Sequence, residues 1–141
     1  MYEYKCTVDR VVDGDTIDVT LDLGFSVLHK TRVRLFGIDT PESRTRNKDE
    51  KARGKMSAAF LKMAVEGADT VVIRTKLRDS RGKFGRVLGV VVCDGEDVNE
   101  AMIDAHLAAK YFGQNKAAIE AVHQANRTKL IEMGLFEPVD G

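Results

Sequence analysis

The chain has 141 residues, 22 Lys and Arg against 22 Asp and Glu, and 43% hydrophobic residues. That length is enough for one domain with a proper core, and the hydrophobic share excludes disorder. The balanced total charge singles out no partner, and no stretch is long and apolar enough to span a bilayer.

Tyr4 to Val12 reads as a first strand. Asp13-Gly14-Asp15-Thr16 follows, and taken alone an Asp-Gly pair is a tight turn. It also places two carboxylates at a strand junction. Ile17, Val19, Leu21 and Leu23 then alternate with Asp18, Thr20 and Asp22, the period-2 pattern of a half-buried strand. After a turn at Asp22-Leu23-Gly24, Phe25 to Ile38 is expected as one long third strand.

Its end, Arg34-Leu35-Phe36-Gly37-Ile38-Asp39-Thr40-Pro41-Glu42, packs a cation, an apolar run and two carboxylates into nine residues. Thr40-Pro41 stops the strand, because proline has no N–H for a sheet and disfavours helix just before itself. Arg34 and Asp39 differ by an odd number of positions and in a regular strand would face opposite sides. For both to reach one site the strand must bulge or end between them, and Gly37 is the expected place.

Ser43 to Asp49 reads as a polar loop. A helix is expected over about 50–66 with Gly67 as its C-terminal cap and with Met56, Ala59, Phe60, Met63 and Ala64 on its core face. Thr70 to Thr75 is a β-branched strand. Arg86 to Cys93 is another, broken by Gly89 and closed by an Asp94-Gly95 turn. Asp97 and Glu100 look like a capping box opening a helix that buries Val98, Ala101, Met102 and Ala105. A last helix is expected over about 114–133, with Ala118, Ala121, Val122 and Ala125 inward and Gly134 as its stop. Leu135 and Phe136 dock after it.

Charge is uneven along the chain. Arg74 to Arg86 holds six basic residues and one acid, and Arg44 to Lys55 holds six basic residues and two acids. Such clusters in a neutral chain suit an anionic ligand, although solvated loops also carry them. Cys6 and Cys93 lie far apart in strand-like runs with no zinc spacing, so both read as reduced core residues. His29, His106 and His123 are scattered and none neighbours a carboxylate motif, which weakens any histidine-based chemistry.

Carboxylates at two junctions need a reason. Two of them about 4 Å apart repel by about 4 kcal/mol at an effective dielectric near 20. Asp15 and Asp39 would therefore be brought together only around a cation. With oxygen ligands and no His or Cys, the choice is a hard ion, Ca²⁺ or Mg²⁺.

Three strands, a helix, two strands and further helices is the element order of an OB-fold: a five-stranded barrel, α+β and mainly β, with about three helices. At this point the chain resembles the staphylococcal-nuclease-like (thermonuclease) family. The likeness rests on Asp13-Gly14-Asp15-Thr16, on Arg34 through Glu42, and on Lys83-Phe84-Gly85-Arg86, in this order. It covers about residues 8–112 of what is expected to be one domain over 1–141, with the last helix fitting more loosely.

The resemblance implies a Ca²⁺-dependent endonuclease acting on DNA and RNA with little sequence specificity and leaving 3′-phosphate and 5′-hydroxyl ends. Mg²⁺ and Mn²⁺ are the lesser candidates. It implies metal ligands at Asp15, Asp39 and the Thr40 carbonyl, with Asp13 near the cage, Glu42 as general base, and Arg34 and Arg86 on the scissile phosphate. Lys83 and Tyr111 are the further substrate contacts. The sequence departs from the family in having Phe84 where many members have tyrosine, a shorter Ala109 to Gly113 segment, and a different loop after Glu42. The alternative is a non-catalytic OB-fold module that binds nucleic acid or protein. A monomer is expected, with no membrane partner, and a cytoplasmic location unless the chain is a trimmed form.

Overall fold

A computed structural model of the chain describes residues 2–75 and 87–140. Five strands make the barrel: β1 (Tyr2–Asp13), β2 (Thr16–Asp22), β3 (Leu28–Leu35), β5 (Val71–Thr75) and β6 (Val87–Cys93). β1 pairs antiparallel with β2 through its second half and with β5 through its first, and two register shifts let this 12-residue strand bend between them. β2 pairs antiparallel with β3, and β5 with β6. The parallel pairing of β3 with β6, at Val33↔Val87, Arg34↔Leu88 and Leu35↔Gly89, closes the cylinder. This is the expected OB-fold barrel, and α1 (Lys48–Glu66) lies in sequence between its third and fourth strands.

Short elements complete the fold: β4 (Ile38–Asp39), β7 (Glu96–Asp97), α2 (Val98–Asp104), β8 (Ala109–Lys110) and α3 (Lys116–Glu132). β4 pairs antiparallel with β8. β6 and β7 turn on Asp94 and Gly95, both at positive φ, as an Asp-Gly hairpin requires. The core is the inward set of Ile17, Val19 and Leu21 with Val33, Leu35, Ile73 and Val91, covered by Leu61 of α1 and Met102 of α2. Cys6 and Cys93 are free thiols in this core, and burial pushes the Cys6 thiol up to about 11. Among the described residues no helix is long and apolar enough to cross a membrane.

Several local expectations change. The long third strand is two pieces. β3 starts only at Leu28, after a tip in which Gly24, Phe25 and Ser26 all take positive φ, and it ends at Leu35 before Gly37 at φ +79°. β6 runs through Gly89 unbroken, because a Cβ there would stand 2.7 Å from Ile73 Cγ2 and the bare backbone lets the barrel close. Gly67 caps α1, yet at φ −82° it uses none of glycine's left-handed freedom.

Both long helices bury a different face from the one their apolar residues suggest. α1 buries Arg53, Gly54, Ser57, Leu61 and Val65, while Met63 is exposed. The cause is close approach: a Cβ on Gly54 would lie 2.6 Å from the Pro41 carbonyl oxygen, and the Ser57 hydroxyl donates to the Leu107 carbonyl at 2.6 Å. Of the expected stripe, Phe60 and Ala64 are half-buried against the main core, and Met56 and Phe60 also meet a second cluster of Leu107, Leu130 and Phe136. In α3 the residues Ala118, Ala121, Val122 and Ala125 are exposed, and His123 and Leu130 are the buried pair. In α2, Val98 and Met102 are buried as expected, joined by Asn99, and Ala101 and Ala105 are half-buried. Phe136 docks; Leu135 does not.

α3 is staked to α1 by one carboxylate. Asp49 accepts from Arg53 Nε at 3.0 Å, from Arg127 Nε and Nη2 at 3.0 and 3.1 Å, and from the Val139 N–H at 3.2 Å. Burial pushes the Asp49 carboxyl up, but its Arg127, Val139 and Arg53 partners outweigh that and leave it below its ordinary value. Asn99 performs a similar service for the barrel rim. Its amide donates to the carbonyls of Phe36 at 2.9 Å and Gly89 at 3.3 Å, and its carbonyl accepts the Val91 N–H at 3.0 Å.

Two stability predictions follow from these anchors. Asn99→Ala removes the hydrogen bonds to the Val91 N–H and the Phe36 carbonyl, while the Gly89 carbonyl keeps the Phe36 N–H at 2.8 Å, and should cost about 1–3 kcal/mol, read by denaturant unfolding. A loss under half a unit of that scale would show that the amide is replaceable. Asp49→Asn should cost about 1.5–3 kcal/mol at neutral pH, the scale of hydrogen bonds to a charged group. A carboxyl whose folded pKa is depressed contributes fully above its unfolded value and loses that contribution as pH falls through the folded one. The melting-temperature gap between wild type and Asp49→Asn should therefore close as pH drops below about 4. A gap that stays constant into acid would contradict the ionic anchor.

Candidate active site

The site forms where two strand junctions meet. The first is the β1–β2 turn carrying Asp13, Gly14, Asp15 and Thr16. Gly14 is buried, and a Cβ on it would stand 2.7 Å from Ser57 Cβ and 3.0 Å from Thr40 Oγ1. Its bareness lets the turn lie directly on the second junction. The second is the break after β3. Gly37 reverses the strand sense, so that Arg34 and Asp39 arrive on the same side, as the odd spacing required.

Backbone hydrogen bonds sew the two together. The Asp15 carbonyl accepts the Leu35 N–H at 2.8 Å, and the Asp15 carboxylate accepts the Thr40 N–H at 3.3 Å. Thr16 Oγ1 donates to Asp15 Oδ1 at 3.0 Å. β8 then holds the far side through Ile38↔Lys110 and Asp39↔Ala109.

Arg34 sits between the acids. Its Nη1 is 3.2 Å from Asp15 Oδ2, its Nη2 is 3.6 Å from Asp39 Oδ1, and Nη1 also donates to the Leu35 carbonyl at 3.4 Å. The Arg34 side chain is mostly buried, at 18% exposure. Asp13 accepts a hydrogen bond from the Ser43 hydroxyl. Glu42 lies next along the chain, and its N–H donates to Glu50 Oε2 at 3.2 Å. The surrounding protein pushes the Glu42 carboxyl up, and the charges of Asp15, Asp13, Asp39 and Glu50 push it further. The residue remains open to solvent. An acid beside other acids, still reached by water, is an acid poised to take a proton.

Of the residues singled out in the sequence, Asp13, Asp15, Arg34, Asp39, Thr40 and Glu42 come together at these two junctions. Lys83, Phe84 and Arg86 lie outside the described residues. Tyr111 is half-exposed, and its N–H donates to the Gly37 carbonyl at 2.8 Å. With Phe112 it borders a cleft of about 430 Å³ whose other walls include Arg34, Phe36 and Leu88. Phe112 is 80% exposed at that rim.

One sequence expectation is wrong here. His123 does neighbour a carboxylate: its Nε2 lies 2.8 Å from Asp39 Oδ2. It sits 84 positions further along the chain in an alanine-rich helix, with no motif around it. The pairing becomes visible only once α3 is docked.

Among the described residues no three acids, histidines or cysteines converge as a ready cage for a metal ion. The oxygen donors at the junctions are Asp15, Asp39 and the Thr40 backbone. That set fits a hard divalent cation whose shell is completed by water.

Comparison with known proteins agrees with this geometry. Residues 32–132 match the family model described as "Staphylococcal nuclease homologue", a span that takes in both the Arg34–Glu42 junction and α3. The chain is 32% identical over 116 residues to "Endonuclease YhcR" of Bacillus subtilis (strain 168), covering 78% of this chain and 9% of that protein. It is 35% identical over 102 residues to "SPbeta prophage-derived endonuclease YokF" of the same organism, covering 72% of this chain and 32% of that one. Against "Thermonuclease" of Staphylococcus intermedius it is 32% identical over 124 residues, 85% of this chain and 68% of the relative. The chain thus spans less than half the length of several relatives it matches. With the barrel, the two acidic junctions and the bridging arginine in place, this chain belongs to the staphylococcal nuclease family.

Proposed function

We propose that this chain is a nuclease: a phosphodiesterase that cuts DNA and RNA endonucleolytically with little sequence specificity, uses Ca²⁺, and leaves 3′-phosphate and 5′-hydroxyl ends. The observation that carries the reading is Arg34 in reach of both Asp15 and Asp39, with Glu42 near enough for the charges of Asp15, Asp13 and Asp39 to act on it. Relatives named endonuclease and thermonuclease support it.

Phosphodiesters resist hydrolysis because an anion repels the nucleophile and negative charge builds on the phosphoryl and leaving oxygens. A site must place positive charge where that negative charge grows. Asp15, Asp39 and the Thr40 carbonyl are assigned as the residues that hold the ion, with Asp13 outside them, tethered by Ser43. An ion bound there supplies positive charge next to a phosphate oxygen.

The chain's own groups do the rest. Glu42, with its raised affinity for a proton, accepts one from the attacking water or holds that water in line. Asp15 and Asp39 hold the Arg34 guanidinium in place, so its remaining N–H groups are preorganised to meet the phosphate. Arg86 is assigned the second fork, Lys83 the neighbouring phosphate, and Tyr111 a substrate contact on the cleft rim.

Incubating the protein with single-stranded DNA or RNA in Ca²⁺, Mg²⁺, Mn²⁺ or chelator tests the reading. Digestion in Ca²⁺ that chelator abolishes is expected. Binding without digestion under every ion would mark the chain as the non-catalytic module instead. Arg34→Ala should lower turnover by roughly 10³–10⁵, by analogy with arginines in phosphoryl transfer, and Arg34→Lys should not restore it, since a point charge cannot make the paired bonds. Near-normal turnover in Arg34→Ala would remove Arg34 from its role.

A further inference from the structure

Asp39 is gripped more tightly from behind than from the front. On the barrel side Arg34 Nη2 stands 3.6 Å from Oδ1, an ion-pair distance too long for a good hydrogen bond. On the other side His123 Nε2 is 2.8 Å from Oδ2. An ionised carboxylate only accepts, so the imidazole nitrogen facing it is the donor.

The placement of that nitrogen is built rather than incidental. His123 is 7% exposed on a helix whose apolar residues mostly face outward. Burying a polar ring in preference to an available Val122 or Ala121 is unfavourable unless the ring is bonded. The helix that carries it is fixed by groups independent of the site. Arg127 binds Asp49, Asn126 Nδ2 donates to the Ala108 carbonyl at 3.2 Å, and Leu130 packs with Leu107 and Phe136. The backbone of Asp39 is fixed separately by its pairing with Ala109 of β8. What the backbone leaves undecided is the rotation of the carboxylate, and the His123 hydrogen bond decides it.

We propose that His123 is a positioning residue: its Nε2–H holds Asp39 Oδ2, so that Oδ1 alone is turned toward Arg34 and Asp15 as a single-oxygen donor for a divalent cation. The proposal rests on the assignment of Asp39 as a cation ligand. It gives the C-terminal helix a part in the site beyond covering the barrel. Residues that orient a ligating carboxylate typically contribute 10–100-fold to metal affinity.

Calorimetric titration of Ca²⁺ into the full chain without nucleic acid tests it, comparing wild type, Asp39→Asn, His123→Leu and His123→Gln. Leucine fills the space without donating. The glutamine amide reaches about as far as the imidazole Nε2 and donates. His123→Leu should bind Ca²⁺ about 10–100-fold more weakly, His123→Gln should regain most of the affinity, and Asp39→Asn should lose binding. Melting in chelator checks that each variant is folded. If leucine unfolds the chain, His123→Asn, whose amide is too short to reach Asp39, takes its place in the same comparison. Wild-type affinity in the non-donating variant, with Asp39→Asn still defective, overturns the positioning role alone. So does a glutamine variant as weak as the leucine one. A wild type that binds no Ca²⁺, or an Asp39→Asn that binds normally, removes the ligand assignment and the positioning role with it.

Discussion

Everything at this site depends on one guanidinium standing among carboxylates that repel one another. Asp15 and Asp39 each reach Arg34, and the charges of Asp15, Asp13 and Asp39 act on Glu42. Each close acid pair costs on the order of a few kcal/mol at a protein-like dielectric. A mostly buried arginine offsets part of that, while burial first and the neighbouring acids second push the Glu42 carboxyl up. The arrangement is poor for stability and suited to a ligand that brings more positive charge, followed by one that brings a phosphate.

The barrel exists in a form that can bear this tension. Asn99 pins the carbonyls of Phe36 and Gly89 where β3 breaks, so the break is a fixed corner. Gly14 and Gly54 are the contact points at which the β1–β2 turn and α1 press on the Thr40–Glu42 segment, with no side chain to hold them apart. The acids are therefore carried on backbone tied from three directions: the β1–β2 turn through Asp15, β8 through Asp39, and α1 behind Pro41 and Glu42. α3 adds the fourth tie, His123 to Asp39, and is itself moored by Asp49 to α1.

Much of the barrel pattern and the break between Arg34 and Asp39 are legible in the sequence. Alternation in Ile17 to Leu21 reports burial directly, and the odd spacing of Arg34 and Asp39 demanded the break that Gly37 supplies. The inward faces of α1 and α3 do not follow hydrophobicity alone. On α1, Gly54 and Ser57 take inward positions because they meet backbone, in line with Leu61 and Val65, and Met63 lies outside that face. On α3 the inward positions are chosen for polar partners, His123 for Asp39 and Arg127 for Asp49. Those partners lie in other elements and leave no local pattern. Gly89 does not break its strand; its lack of a Cβ gives room to Ile73 on the neighbouring strand β5.

The claim that positive charge holds these acids together is tested most directly by thermal unfolding of wild type and Arg34→Leu, each with saturating Ca²⁺ and with chelator. In chelator the variant leaves the carboxylates uncompensated, and its melting temperature should fall well below that of wild type. Ca²⁺ should raise the variant more than the wild type and narrow the gap. A gap of the same size in both conditions would show that the acids do not depend on a shared positive charge, and would contradict the account.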